Sequence, residues 1–178
     1  KEFIQADAGF VIDEIEYFFK KFGIKNFSFY DDALLYNAEN HIIKILEGIL
    51  KKGIKANFHT PSGLHIRLIT PEIASLLKKA GFISPRLGFE TAESRTQIET
   101  GGKTDNEGFL QALRYLKNAG YNQEDIAVYL LIGLPEQSTE EIRRSIEFVA
   151  AFPLYRPDDC YKLEELKSLV HNLNKKIY

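Results

Sequence analysis

The sequence predicts an α/β domain with a parallel sheet, and two observations carry this prediction. An amphipathic stretch, a glycine and an apolar run follow one another four times, and the glycines are Gly23, Gly53, Gly81 and Gly120. The apolar runs are short, and the stretches between them are long enough for the helical crossovers that parallel strands require. Because glycine adopts a positive φ at no steric cost and lysines come shortly before each of these glycines, each glycine is expected to end a helix.

The first two helices are indicated by apolar residues spaced three and four positions apart. The first stripe is Val11, Ile12, Ile15, Phe18, Phe19 and Phe22, and the second is Ile42, Ile43, Leu46, Ile49 and Leu50. This spacing puts the apolar residues of each stretch on one side of an α-helix. A short strand follows each stretch, and these strands end near Asp31 and near His59.

The later elements are indicated by start signals and by apolar runs. Thr70 precedes a proline, which is favoured at the first helical position, and Thr104 and Ser138 are each followed three residues later by a glutamate, as in a capping box. A strand is predicted at Arg86–Glu90. Residues 126–132 are apolar throughout, which predicts a parallel strand covered on both faces.

The carboxyl ends of the strands are where a parallel α/β domain places its site, in an open sheet and in a barrel alike. The alternation of elements does not separate these two folds. At these ends lie Asp31, Asp32, His59, Glu90 and Gly133. The aspartates either bind a cation or form a loop turn, and Gly133 either lets a ligand approach the backbone or allows a tight turn. For Glu90 a site role is favoured, because an unpaired charge is costly to bury.

Composition excludes several classes of function. The formal net charge is −2, so no overall positive field attracts nucleic acid or an anionic membrane. No apolar run approaches the ~20 residues that span a bilayer. The single cysteine, Cys160, cannot form an internal disulfide or hold a zinc or iron–sulfur site alone, so the cytoplasm is the expected compartment. Lys103 follows two glycines, but this segment lacks the first glycine of a phosphate-binding loop.

Several segments, taken together, resemble the radical S-adenosylmethionine (radical SAM) superfamily, and within it the members that often carry an attached cobalamin-binding domain. The resemblance covers residues 1–152, and the order and spacing of the segments carry it more than any one of them. The segments are GIKNFSFYDDALLYN, NFHTPSGLHIRLITPEIASLLKKAGF, RLGFETAES, TGGKTDNEGFLQALRYLKNAGY and VYLLIGLPEQSTEEI.

The resemblance implies a partial (β/α)₆ TIM-like barrel over residues 1–152 and a radical SAM enzyme. Members hold a [4Fe–4S] cluster on a CxxxCxxC loop after the first strand, and the cluster binds S-adenosylmethionine. An electron from an external donor cleaves this molecule to a 5′-deoxyadenosyl radical, which abstracts hydrogen from the substrate. The 178 residues contain no CxxxCxxC, so the first strand and the cluster loop are expected before Lys1, and cobalamin is a candidate further cofactor. Residues 153–178 are expected to form a loop or chain break followed by a C-terminal helix.

The resemblance also implies roles for individual positions. The cofactor-binding residues that it indicates are Asp31, Asp32, His59, Glu90, Lys103, Tyr129 and Gly133. The two aspartates occupy the second-strand position that usually binds the methionine amino group, although members often have Gly-Gly-Glu there. Glu90 corresponds to a residue that hydrogen-bonds the ribose hydroxyls, and Lys103 to a basic residue near the methionine carboxylate. Tyr129 and Gly133 flank the wall on which adenine stacks, and His59 is expected to face cofactor or substrate.

Two other classes of function are kept as alternatives. One is a metal-dependent barrel lyase or hydrolase in which Asp31, Asp32, Glu90 and His59 surround magnesium or zinc. The other is a non-catalytic module that binds a partner at the mouth of the barrel, since parallel α/β domains host many functions. The sequence does not indicate whether the substrate is a small molecule or a macromolecule.

Overall fold

Helices and strands alternate through the part of the chain that the computed structural model describes, which is residues 4–151 apart from 100, 103, 135 and 136. The helices are α1 (Ala8–Phe22), α2 (Ile42–Lys51), α3 (Pro71–Ala80), α4 (Ser94–Glu99), α5 (Asn106–Asn118) and α6 (Thr139–Ala150). The strands are β1 (Asn26–Ser28), β2 (Asn57–His59), β3 (Leu64–His65), β4 (Phe82–Ser84), β5 (Arg86–Glu90) and β6 (Ala127–Leu130). None of the helices described is both long and apolar enough to cross a membrane. The predictions for Lys103 and for residues 153–178 lie outside the described residues.

The strands form two three-stranded sheets in which every pairing is parallel. One sheet has the order β1-β2-β4 and the other has the order β3-β5-β6. Pro85 alone separates β4 from β5, so the two sheets share one interrupted strand. The α/β class with parallel strands is therefore confirmed, and the described strands form an open arc with β1 and β6 at its two ends.

The helices cover one face of this arc with apolar side chains. On β5 the buried residues are Leu87 and Phe89, and the Phe89 ring stacks on Phe109 of α5 at a centroid distance of 4.2 Å and on Phe148 of α6 at 5.6 Å. A second group of stacked rings, from β1 to β4, comprises Phe27, Phe29, Phe58 and Phe82. Because side chains alternate along a strand, burial of this face leaves the opposite face of the arc for polar side chains.

The helix ends follow the glycine signals in the sequence. Gly23 and Gly81 are the left-handed C-caps of α1 and α3, with φ of 68° and 100°. Gly53 and Gly120 also have positive φ, one residue beyond the C-caps of α2 and α5. A Cβ atom at Gly81 would lie 2.4 Å from the Ala56 carbonyl oxygen, so this position requires glycine for the close approach of two backbones as well as for its φ.

Two of the predicted helix starts are confirmed and one is wrong. Thr70 and Ser138 cap α3 and α6, the latter with the full capping box. The start of α5 lies one residue later than predicted, because Asp105 is the N-cap and accepts a hydrogen bond from the Gly108 amide. The Thr104 hydroxyl instead donates to the Phe89 carbonyl oxygen at 2.9 Å, so it binds the end of β5 and not the helix.

The prediction that residues 126–132 form a strand covered on both faces is also wrong. β6 spans only Ala127–Leu130, and Tyr129 and Leu131 are 39% and 40% exposed. β6 lies at the end of its sheet, so among the described residues it has one strand neighbour, and helices cover only one of its faces. The apolar run therefore predicted the strand correctly, but it did not predict that one face of the strand is exposed.

Candidate functional site

The face of the arc opposite the helices carries polar side chains from neighbouring strands. Asn26 of β1 lies opposite Asn57 of β2, and the Asn57 side-chain amide donates to the Asn26 side-chain oxygen at 3.2 Å. The His59 Nε2 atom lies 3.5 Å from the same oxygen. His59 is thus on this face at the end of β2, as predicted, and its ring lies against the amide pair.

Tyr129 bridges three segments on the same face. Its hydroxyl donates to the Pro61 carbonyl oxygen at 2.7 Å and accepts from the Arg86 guanidinium at 2.9 Å. A Cβ atom at Gly63 would lie 3.2 Å from its ring, so the ring packs closely on the backbone between β2 and β3. Tyr129 therefore holds the residue 61–63 segment against the sheet and leaves part of its ring exposed.

Glu90 ends β5 with an unusual backbone conformation. Its φ is 73°, and the Thr91 amide donates to the Phe89 carbonyl oxygen at 3.0 Å, so Glu90 is the central residue of a γ-turn of the strained type. The register with β6 shifts between Gly88 and Glu90, so the regular pairing is interrupted at the end of β5. Within the described residues, no hydrogen bond or ion pair to the Glu90 carboxylate is found. Strain of this kind is concentrated at functional sites, so Glu90 is the strongest candidate among the described residues.

The loop that follows Glu90 is bonded by two residues that sequence reasoning missed, Gln97 and Ser145. Thr91, Gln97 and Ser145 are buried polar residues that bond to this loop. Ser145 could have been found, because it occupies a position on the apolar stripe of α6 between Ile142 and Val149. Nothing in the sequence pattern indicated that its hydroxyl reaches a loop more than fifty residues earlier.

The two aspartates after β1 have different surroundings. The Asp31 carboxylate accepts a hydrogen bond from the Ala33 amide at 2.8 Å, as expected for a residue in a loop turn. The Asp32 side chain is exposed. β2 and the β4–β5 strand follow β1 across the arc, and Ser28 at the end of β1 is level with His59 and Ser84. Glu90 lies further along its strand, so the ends of β1 and β5 are further apart than the about 10 Å of two strand spacings. No group of three or more His, Cys, Asp or Glu side chains in the described chain could hold a metal ion. The alternative set Asp31, Asp32, Glu90 and His59 is therefore not gathered into such a group.

Gly133 lies in a turn after β6. Its φ is 92°, and its amide donates to the Gln137 side-chain oxygen at 2.8 Å, while the Gln137 side-chain amide donates to the Leu131 carbonyl oxygen at 3.1 Å. In the described chain no atom lies within 4 Å of where a Cβ at Gly133 would be. The structure thus explains the glycine by its turn, and the backbone there is open.

Asp105, two residues after Lys103 in the sequence, joins two segments that follow strands. Its carboxylate accepts hydrogen bonds from the Gly108 amide at 2.6 Å and from the Arg67 guanidinium at 2.6 and 3.0 Å. The Gly108 amide and, after it, Arg67 hold the pKa of Asp105 below its usual range. This pair ties the segment after β3 to the start of α5.

A parallel α/β arc with polar side chains at the carboxyl ends of its strands belongs to the class of parallel α/β folds whose sites lie at this edge. The chain belongs to the radical SAM superfamily, whose family model matches residues 5–149. A comparison with curated proteins gave no match.

Among solved structures, the chain is similar to coproporphyrinogen III oxidase (HemN) from Escherichia coli, which is described as a radical SAM enzyme. The TM-score is 0.51 at 19% sequence identity, and the match covers 64% of this chain and 26% of that one. At this identity the likeness supports the fold, and the chain spans about a quarter of the length of that protein.

Proposed function

We propose that this chain is the core of a radical SAM enzyme that binds S-adenosylmethionine beside a [4Fe–4S] cluster and generates a 5′-deoxyadenosyl radical. The observation that carries the proposal is Glu90, a strained residue at the end of a central strand whose carboxylate has no partner among the described residues, in a chain of this family. The 178 residues contain one cysteine, so the thiolates that hold the cluster are proposed to lie on other residues of the whole protein. When bound and reduced, the cluster supplies the electron that cleaves S-adenosylmethionine.

The spacing of the strand ends suits an extended cofactor with charged groups along its length. The carboxylates of Asp31 and Asp32 would hold the methionine ammonium, since ionised pairs make the strongest hydrogen bonds. The Glu90 carboxylate, on a different strand, would accept hydrogen bonds from the ribose hydroxyls. Carboxylates on two separate strands suit two different parts of S-adenosylmethionine.

The remaining predicted residues take places around these two groups. Tyr129 and the open backbone at Gly133 would face the adenine, because an aromatic face and bare backbone suit a flat ring. His59 would face cofactor or substrate, and Lys103 would pair with the methionine carboxylate. Cobalamin stays a candidate cofactor, an external reductant the proposed electron donor, and the cytoplasm the predicted compartment.

The proposal is tested on the full-length protein that carries these residues. It is reconstituted anaerobically with iron and sulfide, and 5′-deoxyadenosine is measured after addition of S-adenosylmethionine and dithionite. About four irons per chain and formation of 5′-deoxyadenosine are expected. Iron without cleavage of S-adenosylmethionine, or no iron, contradicts the proposal.

The role of Glu90 is tested separately by calorimetric titration of the reconstituted protein with S-adenosylmethionine. Glu90→Gln is expected to weaken binding about tenfold or more, because a charge-assisted hydrogen bond contributes about 1.5–3 kcal/mol. Glu72→Gln is the matched control, since Glu72 is an exposed carboxylate in the first turn of α3, at the same end of the sheet. Equal affinities for the two variants contradict the assigned role.

A further inference from the structure

A network of buried side chains fixes the loop that follows Glu90. Thr91, Gln97 and Ser145 are 1%, 5% and 3% exposed, so their polar atoms are removed from water. The Ser145 hydroxyl accepts a hydrogen bond from the Ala92 amide at 3.0 Å and lies 3.2 Å from the Thr91 hydroxyl. The Gln97 side-chain amide donates to the Thr91 carbonyl oxygen at 2.8 Å. Side chains of α4 and α6 thereby bond to the backbone directly after Glu90.

A third helix contributes to the same network. The Asn106 side chain, at the start of α5, accepts from the Gln97 side-chain amide at 2.8 Å and donates to the Ala92 carbonyl oxygen at 3.1 Å. The Glu93 amide donates to the Thr91 hydroxyl at 3.1 Å. Three successive helices therefore each direct one polar side chain to this loop, and its backbone groups at residues 91–93 are hydrogen-bonded.

Burying these polar side chains costs more desolvation free energy than burying apolar side chains would. A serine on the buried stripe of α6 removes a hydroxyl from water, and it is tolerated because each of its partners is satisfied. A non-glycine residue in the conformation of Glu90 is strained by about 1–3 kcal/mol. Such a conformation persists only where several surrounding interactions hold the backbone in place. The network fixes the Thr91–Ala92 and Ala92–Glu93 peptide groups directly after the turn, and the Glu90 carbonyl oxygen accepts a hydrogen bond from the Leu131 amide at 2.7 Å.

We propose that Thr91, Gln97 and Ser145 are positioning residues that hold Glu90 in its γ-turn, so that its carboxylate faces the ribose of S-adenosylmethionine; this rests on the proposed function of Glu90. The three residues act through Glu90 and do not touch the cofactor. Their effect on the affinity for S-adenosylmethionine therefore requires the Glu90 carboxylate to be present.

A double-mutant cycle in the reconstituted full-length protein tests this dependence. Ser145→Ala is expected to weaken the binding of S-adenosylmethionine about five- to tenfold, and to change it less than twofold when Glu90→Gln is already present. Thr91→Val, which keeps the side-chain shape and removes the hydroxyl, is the second variant and is expected to behave alike. Ser138→Ala is the matched control, because it removes the N-cap residue of the same helix. Ser138 has no hydrogen bond to the loop among those described, so this variant is expected to leave the affinity unchanged.

Each outcome of the cycle decides between the two proposals. Equal weakening by Ser145→Ala with and without Glu90→Gln overturns the inference, since the network would then act independently of Glu90. No effect of Ser145→Ala, where Glu90→Gln alone weakens binding, overturns the inference and leaves the proposed function in place. If Glu90→Gln itself leaves the affinity unchanged, the proposed role of Glu90 fails, and the inference fails with it. Amide hydrogen exchange at Thr91 and Ala92 is expected to rise in Ser145→Ala, which confirms independently of the cofactor that the variant loosens the loop.

Discussion

Glu90 combines two features that a residue selected for stability alone would avoid. A positive φ brings its Cβ too close to the backbone, and its half-buried carboxylate has no partner within the described residues. Natural sequences keep such residues where function requires them and compensate for them nearby. At Glu90 the compensation is the set of hydrogen bonds from Thr91, Gln97 and Ser145.

Glu90→Gly is expected to separate stability from binding. Glycine adopts φ of 73° without the roughly 1–2 kcal/mol steric cost that other residues carry, and its greater freedom in the unfolded chain cancels part of this gain. We expect the free energy of unfolding to stay equal or rise by up to ~1 kcal/mol, while affinity for S-adenosylmethionine falls at least as far as in Glu90→Gln. Urea denaturation and calorimetric titration measure the two effects. A clear loss of stability in Glu90→Gly would show that the carboxylate has a structural role and that its conformation is not strained.

Sequence reasoning located Glu90 but not its conformation. A glutamate at the end of an apolar strand is visible in the pattern, whereas the γ-turn depends on Gln97 and Ser145, which belong to different helices. Thr104 illustrates the same limit, because its spacing to Glu107 predicted a cap and the Phe89 carbonyl oxygen takes its hydroxyl instead. The spacing of residues along the sequence does not indicate a competing hydrogen-bond acceptor that the tertiary fold brings close.

At the scale of elements, most of the helices and strands could be predicted because their signals are local. Periodicity indicates the apolar side of α2, and the Ser138 capping box marks the start of α6. The two-residue strand β3 and the interruption of the central strand at Pro85 were not predicted. Both arise from pairing between strands, and a run of two residues carries no periodicity of its own.

The glycines that end the helices fall into two groups with different expected costs of substitution. Gly81→Ala is expected to destabilise the protein by about 3 kcal/mol or more, because strain at positive φ adds to the contact with the Ala56 carbonyl oxygen. Gly120→Ala is the matched control, since its φ of 94° is similar and no described atom lies within 4 Å of the added Cβ. It is expected to cost about 1 kcal/mol. Equal losses in urea denaturation would contradict the close approach at Gly81.

Asp105 is expected to make stability depend on pH in the acid range. Its folded-state pKa is lowered, first by the Gly108 amide and then by Arg67, so its contribution is present above the unfolded pKa and is lost as pH falls through the folded value. Asp105→Asn retains the N-cap and is expected to cost under about 1 kcal/mol at pH 7. The variant and the parent should begin to converge in stability as the pH falls through about 4, and should become equal only below the lowered folded pKa of Asp105. A constant difference between their unfolding curves from pH 7 to pH 2 would contradict this assignment.

At the scale of the whole molecule, charges are separated between the two ends of the sheet. Lysines lie in the last turns of successive helices, at the end where the strands begin, and they include Lys20, Lys21, Lys51, Lys78 and Lys79. Carboxylates lie at the end where the strands finish, and they include Asp31, Asp32, Glu72, Glu90 and Asp105. Helix dipoles favour this distribution. At the site edge Arg67 pairs with Asp105, whereas no described cation pairs with Asp31, Asp32 or Glu90. The sulfonium and ammonium groups of S-adenosylmethionine suit such an edge.

The order of the strands determines how the two ends of the site should combine. Because β2 lies between β1 and the β4–β5 strand, and Glu90 lies further along its strand than the end of β1, Asp32 and Glu90 should contact different parts of one cofactor. Asp32→Asn and Glu90→Gln are each expected to weaken binding of S-adenosylmethionine about tenfold, and together about a hundredfold, since sites this far apart contribute additively. Calorimetric titration of the two single variants and the double variant measures this. A double variant no weaker than either single one would mean that the two carboxylates act on one shared group, which contradicts the placement of the cofactor along the strand ends.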